Sequence, residues 1–237
     1  MTVPGNELEP PWWTPRKSTA RRSLDRAAIV AAARTVLRDE GIDALSMRRV
    51  ASELGTGPAS LYAHVAHKDE LLEMLLDDVS GEVPLPEPDP ARWREQVTQL
   101  WMDARNAVMA NGDIARVALG RVPLGPNAIR LSEVTLTLLR LGGVPEQAAA
   151  WAVDVIGMYV AANAIEGSID AREERAGRDP VQYYAQVHKY FAELPPERFP
   201  TTTALAPKLA TGDGDDRFRF GLDLLVGGLA ALAGDGS

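Results

Sequence analysis

The 237-residue sequence contains no cysteine. This absence excludes a disulfide framework, a thiol nucleophile and any zinc or iron–sulfur site built on cysteine. Histidine is scarce as well, because His64, His67 and His188 are the only three in the chain. A histidine-rich metal site is therefore not expected, although carboxylate sites stay open. We predict that the protein binds no metal and uses no cofactor.

Long apolar runs are also missing. No run approaching 18 residues is free of charged or polar breaks, as a membrane-spanning helix would require. The opening residues, among them Pro4, Glu7 and Pro10, lack the basic-then-apolar order of a signal peptide. With 46% hydrophobic residues, the chain can still bury a sizeable core. These features predict a cytoplasmic protein that does not bind membranes.

The net charge of −8 is spread unevenly along the chain. Residues 16–68 hold 10 basic and 5 acidic residues, whereas residues 69–237 hold 15 basic and 26 acidic residues. A basic block on an acidic body suggests that one end of the molecule contacts a polyanion. Charge blocks are more often solvated surface, so this observation alone is weak.

Helix signals follow one another from residue 24. Asp25 and Ser46 are candidate N-caps, Gly41 and Gly55 are candidate stops, and Pro58 stands where a further helix would begin. Helical patterns then continue to the end of the chain, and no convincing strand alternation occurs. We predict an all-α protein with helices at about 25–40, 46–54, 58–64, 68–79, 91–111, 113–119, 126–142, 145–175, 180–193 and 215–233.

The second and third of these helices are joined by a three-residue turn that contains glycine, which is typical of a DNA-binding helix-turn-helix. Leu61 and Val65 lie four residues apart and are expected to face the core. Helix termini donate free N–H groups to phosphate, so Ser46 and Thr56 are candidate backbone contacts. The residues left available to the bases and phosphates of double-stranded DNA are Ala59, Ser60, Tyr62, Ala63 and His64.

The stretch from Leu24 to Leu72, with the run GIDALSMRRVASELGTGPASLYAHVAHKDELL, resembles the DNA-binding domain of the TetR/AcrR family of bacterial transcriptional regulators. The resemblance implies an N-terminal DNA-binding domain and a helical C-terminal domain that dimerises and binds a small molecule. The elements that carry it are Gly41, Leu45-Ser46, Arg48, Ala51, Leu54-Gly55, Leu61-Tyr62, His64-Val65, Lys68 and Leu71-Leu72. The domains would be a flexible basic arm at 1–22, the helix-turn-helix at 23–67, a connecting helix at 68–82, and the effector-binding and dimerisation domain at 91–233.

The resemblance also implies individual DNA contacts. Arg48 would approach bases or phosphate from the second helix, and Lys68 would bind phosphate. Ser60, Tyr62 and His64 would line the groove. Arg49 points about 100° away from Arg48 on a helix, so only Arg48 is predicted to contact DNA. Other interpretations stay open, in which Tyr62 packs in the core, His64 and Lys68 are solvated surface, and the basic arm merely adds salt-dependent affinity.

The last helix carries an apolar stripe with heptad spacing, which predicts a homodimer interface. Two DNA half-sites would also require a dimer. The segment FRFGLDLLVGGL is similar to the closing helix of the tetracycline-repressor branch, which forms a four-helix bundle across a two-fold axis. Packing inside the monomer is the alternative. The stripe consists of Phe218, Leu222, Leu225, Leu229 and Leu232.

The segment 145–175 is apolar nearly all round, so it is predicted to be the central helix of the C-terminal domain. A few polar groups share one stripe of it, and polar groups in an apolar wall are typical of a small-molecule pocket. The alternative is that these groups are satisfied within the core or an interface. The predicted effector-binding residues are Val155, Tyr159, Asn163 and Glu166 on this helix, with Trp101, Arg105, Thr135 and Leu139 on its neighbours.

Similarity to tetracycline repressors places Glu166 near a residue that helps to bind the drug–magnesium complex. Ala118, however, falls near the histidine that ligates magnesium, and alanine cannot replace it. A largely apolar compound is therefore expected as effector rather than magnesium–tetracycline.

Taken together, the sequence predicts a repressor that binds a palindromic operator as a homodimer and is released by a small, largely apolar effector. The alternative is a DNA-binding regulator or activator without a small-molecule effector, controlled by a protein partner. An enzyme is disfavoured, because the sequence shows no nucleophile–base pair, phosphate loop or metal-ligand spacing.

Overall fold

The computed structural model describes residues 24–119, 123–177, 179–209 and 211–234, and all regular elements in these ranges are helical. The all-α prediction is therefore confirmed. The predicted arm at 1–22 lies outside the described residues. The α-helices are α1 (Arg26–Glu40), α2 (Met47–Glu53), α3 (Pro58–Tyr62), α4 (Lys68–Ser80), α5 (Trp93–Ala110), α6 (Ala115–Ala118), α7 (Pro126–Leu141), α8 (Glu146–Arg175), α9 (Pro180–Ala192), α10 (Pro200–Leu209) and α11 (Gly214–Gly234), with 3-10 turns at Pro90–Arg92 and Gly112–Ile114.

The caps expected from the sequence begin the first two helices. The Asp25 carboxylate accepts a hydrogen bond from the Ala28 amide at 2.8 Å, and the Ser46 hydroxyl accepts one from the Arg49 amide at 3.2 Å. Each bond satisfies an N–H group that has no partner inside its helix. Gly41 ends α1 with a φ of 83°, which favours glycine. Helix α3 ends at Tyr62, two residues before the predicted end.

The hydrophobic core of the DNA-binding domain extends into the C-terminal domain. Leu61 of α3 and Leu71 of α4 are fully buried in one cluster that also contains Ile114 and Ala164. Helix α4 begins at the predicted domain boundary between residues 67 and 68, and it packs against residues of both domains. The connecting helix is part of the core of both domains rather than a free linker.

Helix α8 is the central helix of the C-terminal domain, as predicted, because it contacts α5, α6, α7 and α11. Residues 146–169 are also long and apolar enough to cross a membrane, judged by length and composition alone. Within the fold this segment packs against four other helices, and Ile156, Val160 and Ala164 are buried. We therefore interpret it as a core helix.

Helix α10 was not predicted from the sequence. It packs against α9, and it buries only Ala206 among its described residues. Three consecutive threonines, whose branched side chains disfavour helix, and Pro207 inside the helix hide it from pattern analysis. Helix α9 also contacts α8, and its residues Val181, Tyr183 and Tyr190 are exposed.

Candidate DNA-binding and effector-binding sites

Helices α2 and α3 present the face expected of a DNA-reading helix-turn-helix. Leu61 and Val65 are buried, as their spacing predicted. Ala59, Ser60 and Tyr62 are exposed, and the Tyr62 side chain is 54% accessible. The interpretation of Tyr62 as a core residue is therefore wrong. The exposed face of α3 is free to enter a major groove.

The two adjacent arginines of α2 differ in their partners. The Arg49 guanidinium pairs with Glu40 at 2.6 Å and with Glu53 at 2.8 Å, and these hydrogen bonds raise its pKa. Arg48 is exposed and forms no ion pair with any residue in the described ranges. Lys68, exposed at the start of α4, is equally unpaired among those residues. Among the described residues, Arg48 and Lys68 are thus exposed cations without an ionic partner on the side of α2 and α4.

Three other predicted DNA contacts have defined surroundings. Ser46 is exposed and caps α2. The Thr56 amide donates to the Ala51 carbonyl at 2.9 Å, so the free N–H group expected there is not available, which corrects that part of the prediction. The Thr56 hydroxyl instead donates to the Ser60 hydroxyl at 3.1 Å. His64 is half-buried, and its carbonyl accepts from the Arg26 Nε at 3.0 Å.

A cavity of about 470 Å³ lies between α4, α5, α7 and α8. Its size falls within the range of small-molecule sites, roughly 300–1,000 Å³. Helix α4 forms one wall of the cavity, and this same helix belongs to the core of the DNA-binding domain. The lining residues are Leu76, Val79, Ser80, Val83, Trp101, Ala104, Val108, Ala118, Pro123, Ala128, Leu131, Ser132, Ala150, Val153, Asp154, Gly157, Met158, Val160 and Ala161.

The lining is mostly apolar, and many of its residues are small. Alanine and glycine leave the space that larger core residues would fill, and this gap between four helices is the cavity. The polar side chains that line it are Ser80, Ser132 and Asp154, beside the indole of Trp101. Sequence analysis identified only Trp101 among these four. On α8, Asp154 and Gly157 interrupt an otherwise apolar sequence. This interruption is a signal from which part of the cavity wall could have been predicted.

The polar stripe predicted to face the effector faces α11 instead. The Arg105 Nε donates to the Asn163 side chain at 2.6 Å, and its Nη1 donates to Asp215 at 2.5 Å. The Tyr159 hydroxyl donates to the carbonyl of Phe218 at 3.2 Å. Burial raises the pKa of Tyr159 above its ordinary value. These groups fix the first turns of α11 onto α5 and α8.

The remaining predicted effector residues also lie outside the cavity wall. Glu166 pairs with Arg217 at 3.0 Å. Thr135 and Leu139 are fully buried, with the Thr135 hydroxyl donating to the Leu131 carbonyl at 2.8 Å, and Val155 is exposed. Of the eight predicted effector residues, only Trp101 lines the cavity. The prediction that the other seven face this cavity is wrong. Their polar groups are satisfied within the protein, which was the alternative interpretation.

Part of the predicted dimer interface is core. Phe218 and Leu222 are fully buried within the monomer, and Tyr159 stacks on Phe218 at 5.0 Å between ring centres. A partner molecule could not contact these two buried side chains, so their prediction as interface residues is wrong. Leu225 and Leu229 are half-buried. Leu232, at the end of the predicted stripe, is exposed. Other exposed apolar side chains on α8 and α11 lie outside the stripe, at Trp151, Val155, Met158, Phe220 and Leu224.

Two adjacent carboxylates of α4 tie this helix to its neighbours. Asp77 accepts from the amides of Asn127 at 2.8 Å and Ala128 at 3.1 Å, and so caps α7. Asp78 accepts from Arg34 of α1 at 2.7 Å.

Arg34 is the centre of the contact between the two domains. It also binds Glu82 and, at 2.6 Å, the side chain of Asn111 at the end of α5. Burial lowers the pKa of Arg34, but hydrogen bonds with Asp78 and Glu82 outweigh it and leave the pKa raised. The DNA-binding domain is thus connected through α4 and Arg34 to helices that line the cavity.

Comparison with known proteins identifies the family. A family described as "Bacterial regulatory proteins, tetR family" matches residues 29–75, and "Tetracyclin repressor-like, C-terminal domain" matches residues 85–233. An HTH-type transcriptional regulator of Saccharopolyspora erythraea is 31% identical over 94% of this chain and 92% of its own length. The HTH-type transcriptional repressor DrrR1 of Streptomyces coeruleorubidus is 33% identical over 89% of this chain and 78% of its own length.

Solved structures agree with this assignment. Streptomyces coelicolor ActR in complex with actinorhodin superposes with a TM-score of 0.83 at 44% identity, covering 91% of this chain and all of that chain. ActR in complex with (S)-DNPA superposes with a TM-score of 0.78 at 43% identity, covering 89% of this chain and 98% of that chain. The chain belongs to the TetR family of DNA-binding transcriptional regulators and is not an enzyme.

Proposed function

We propose that this protein is a cytoplasmic repressor that binds a palindromic operator as a homodimer and is released from it by a small, largely apolar effector. The observation that carries the proposal is the cavity of about 470 Å³ whose wall includes α4, the helix packed beneath the DNA-binding domain. A ligand in this cavity would contact α4, which packs against α1 and shares one hydrophobic core with Leu61 of α3. This favours a small-molecule effector over control by a protein partner.

Operator binding would use the exposed face of α3 with the unpaired cations beside it. Tyr62, Ser60, Ala59 and His64 would line the major groove. Arg48 and Lys68 would contact bases or phosphate, with Ser46 and the Thr56 side chain at the backbone. A homodimer would place two copies of α3 about one DNA turn apart.

Release follows if the effector binds better to a conformation with a different spacing of the two α3 helices. The structures of ActR with actinorhodin and with (S)-DNPA make these two compounds the first effectors to test on this chain.

Selection of bound sequences from a random DNA duplex pool tests the DNA-binding part of the proposal. The wild type should enrich a palindrome, and the double variant Arg48→Ala/Tyr62→Ala should not. Failure of the wild type to enrich any site would contradict specific operator binding.

Titration of the protein–operator complex with actinorhodin and (S)-DNPA tests release. We expect dissociation of the complex and quenching of the tryptophan fluorescence, to which Trp101 in the cavity wall contributes, over the same concentration range. An effector that quenches fluorescence without dissociating the complex would contradict release.

A further inference from the structure

We propose that the effector cavity recognises a hydrogen-bond acceptor on its ligand, such as the carbonyl oxygen of an aromatic ketone or quinone, through the indole N–H group of Trp101. This inference rests on the proposed function, because it names the ligand chemistry of the same cavity. Trp101 would be the residue that distinguishes a ligand with an acceptor from a hydrocarbon of the same shape.

The Trp101 side chain extends from the face of α5 that borders the cavity. Trp101, Ala104 and Val108 are spaced by three and four residues, which places them on one side of the helix, and all three line the cavity. Trp101 is 6% exposed, so its ring is held within the wall rather than in solvent.

The indole N–H group of Trp101 has no acceptor. Its Nε1 is buried and forms no hydrogen bond with any residue of the described ranges. An indole nitrogen can only donate, and buried donors of folded proteins are almost always hydrogen-bonded. A ligand in the cavity can supply the acceptor once the side chains that cover Nε1 shift slightly, as side chains commonly do when a partner binds.

The other donor side chains described in the wall are already used. The Ser80 hydroxyl donates to the Leu76 carbonyl at 2.9 Å, and the Ser132 hydroxyl donates to the Ala128 carbonyl at 3.0 Å. Both hydroxyl hydrogens are thus directed at carbonyls of their own helices. Among the described side chains of the wall, Trp101 is the one with a donor left for a ligand.

A single unused donor in a mostly apolar wall gives the cavity a basis for selection. A hydrocarbon ligand would fill the space and leave the indole N–H group without a partner. A ligand with a carbonyl oxygen at this place would satisfy the donor and be oriented by it. Sites that present a buried polar group discriminate against analogues that cannot pair with it.

Fluorenone and fluorene test this contact, because these three-ring compounds differ only in a carbonyl group that replaces a methylene group. Equilibrium dialysis with the intact protein gives both Kd values, and the ratio of the fluorene Kd to the fluorenone Kd is the selectivity. We expect Trp101→Phe to lower the selectivity about fivefold relative to the wild type, as for one lost hydrogen bond. A change in the shape of the wall affects both compounds and largely cancels in the ratio.

Trp93→Phe is the matched control. Trp93 is a buried tryptophan of the same helix, and it lies outside the described cavity wall. This variant should leave the selectivity unchanged. The infrared carbonyl band of bound fluorenone should lie at the same wavenumber in Trp93→Phe and the wild type, and at a higher wavenumber in Trp101→Phe, where the hydrogen bond is missing.

The wild-type protein provides a measurement that does not depend on the folding of any variant. In proton–nitrogen correlation spectra, the assigned indole proton of Trp101 should move further downfield with fluorenone than with fluorene, because only fluorenone offers an acceptor.

The proposal is overturned if Trp101→Phe keeps the selectivity of the wild type, which is the result expected if an ordered water pairs with the indole. It is also overturned if fluorenone does not bind, or if the Trp101 indole proton responds equally to the two compounds. None of these measurements uses DNA. Dissociation of the protein–operator complex by actinorhodin would still support the proposed function in these cases, so the two failures are distinguishable.

Discussion

At the scale of single residues, the neighbours Arg48 and Arg49 show how position on a helix gives two identical side chains different partners. Arg49 lies on the side of α2 that meets Glu40 and Glu53, where it forms two ion pairs. Arg48 lies on the side that carries no described acidic partner. The sequence analysis distinguished the two arginines by the angle of about 100° between neighbouring residues on a helix. The i,i+4 pair of Arg49 with Glu53 is a further signal that the sequence contains.

We predict opposite effects of removing each arginine. Arg48→Ala should weaken operator binding about tenfold and reduce the slope of log affinity against log salt by about one, as expected for one lost phosphate contact. Arg49→Ala should leave operator affinity within about threefold, because its guanidinium is held by carboxylates. Fluorescence anisotropy of a labelled operator at several salt concentrations measures both. Equal losses in the two variants would contradict the assignment.

Residues that line the cavity were largely beyond prediction from sequence, for a physical reason. A periodic pattern reports which face of a helix is apolar, but a cavity arises where several helices each present a small residue at the same place. Ala104, Ala128 and Gly157 lie on three different helices, and only the packing brings them together. Arg105 and Asn163 stood out in the sequence because they are polar residues in apolar stripes. In the structure they form a hydrogen bond with one another.

At the scale of helices, the beginning of α7 depends on a carboxylate from another helix. Asp77 of α4 caps α7, and a Cβ at Gly125 would overlap the Asp77 side chain, so the close approach requires glycine. The sequence signal of Gly125 followed by Pro126 predicted where α7 begins, because proline fits the first helical position. It could not reveal that the cap comes from residue 77.

Removing this cap should loosen the contact between α4 and α7. We predict that Asp77→Ala lowers the free energy of unfolding by about 1–2 kcal/mol, the usual cost of a lost N-cap. Asp77→Asn should be milder, since an amide oxygen can still accept from both N–H groups. Asp103→Ala, which removes only a bond to Gln99 on the same helix, is the control. Urea denaturation measures the three, and equal stability of Asp77→Ala and the wild type would contradict the role.

Helix α11 shows how far an apolar stripe can be interpreted. The heptad pattern predicted one contact face, but the helix has two. Phe218, Leu222, Val226 and Ala230, spaced by four, fill the monomer core. Phe220 and Leu224 point elsewhere and are exposed. The range of the helix was predictable from the sequence, whereas the choice between core and partner was not, because both need the same residue types.

At the scale of the whole molecule, Arg34 connects the two domains through Asp78, Glu82 and Asn111. We predict that Arg34→Met leaves operator affinity without effector within about threefold, since α3 is unchanged. The loss of operator affinity caused by actinorhodin should shrink at least fivefold, against typical couplings of about 5–150-fold. Arg38→Met, one turn further along α1 and paired only with Asp39, is the control. A normal effector response of Arg34→Met would exclude Arg34 from the transmission.

The exposed apolar faces of α8 and α11 predict where two molecules meet. Tyr159 lies against Gly221, and Gly143 lies near Ala233, so the two helices run antiparallel and Val155 is level with Leu224. Trp151 is 65% exposed and Leu224 is 61% exposed, which is unusual for large apolar residues unless a partner covers them.

Leu224→Glu should therefore convert a dimer into a 25.6 kDa monomer, since a charge in a buried interface is costly. Ile129→Glu is the matched control, because Ile129 is an equally apolar side chain of α7, 54% exposed and away from this face, and the dimer should persist. Size-exclusion chromatography with light scattering gives the masses.

The monomer should also lose binding to a palindromic operator while retaining weak, salt-sensitive binding to any DNA, because one α3 helix contacts only one half-site. A Leu224→Glu protein that remains dimeric would place the interface on another surface.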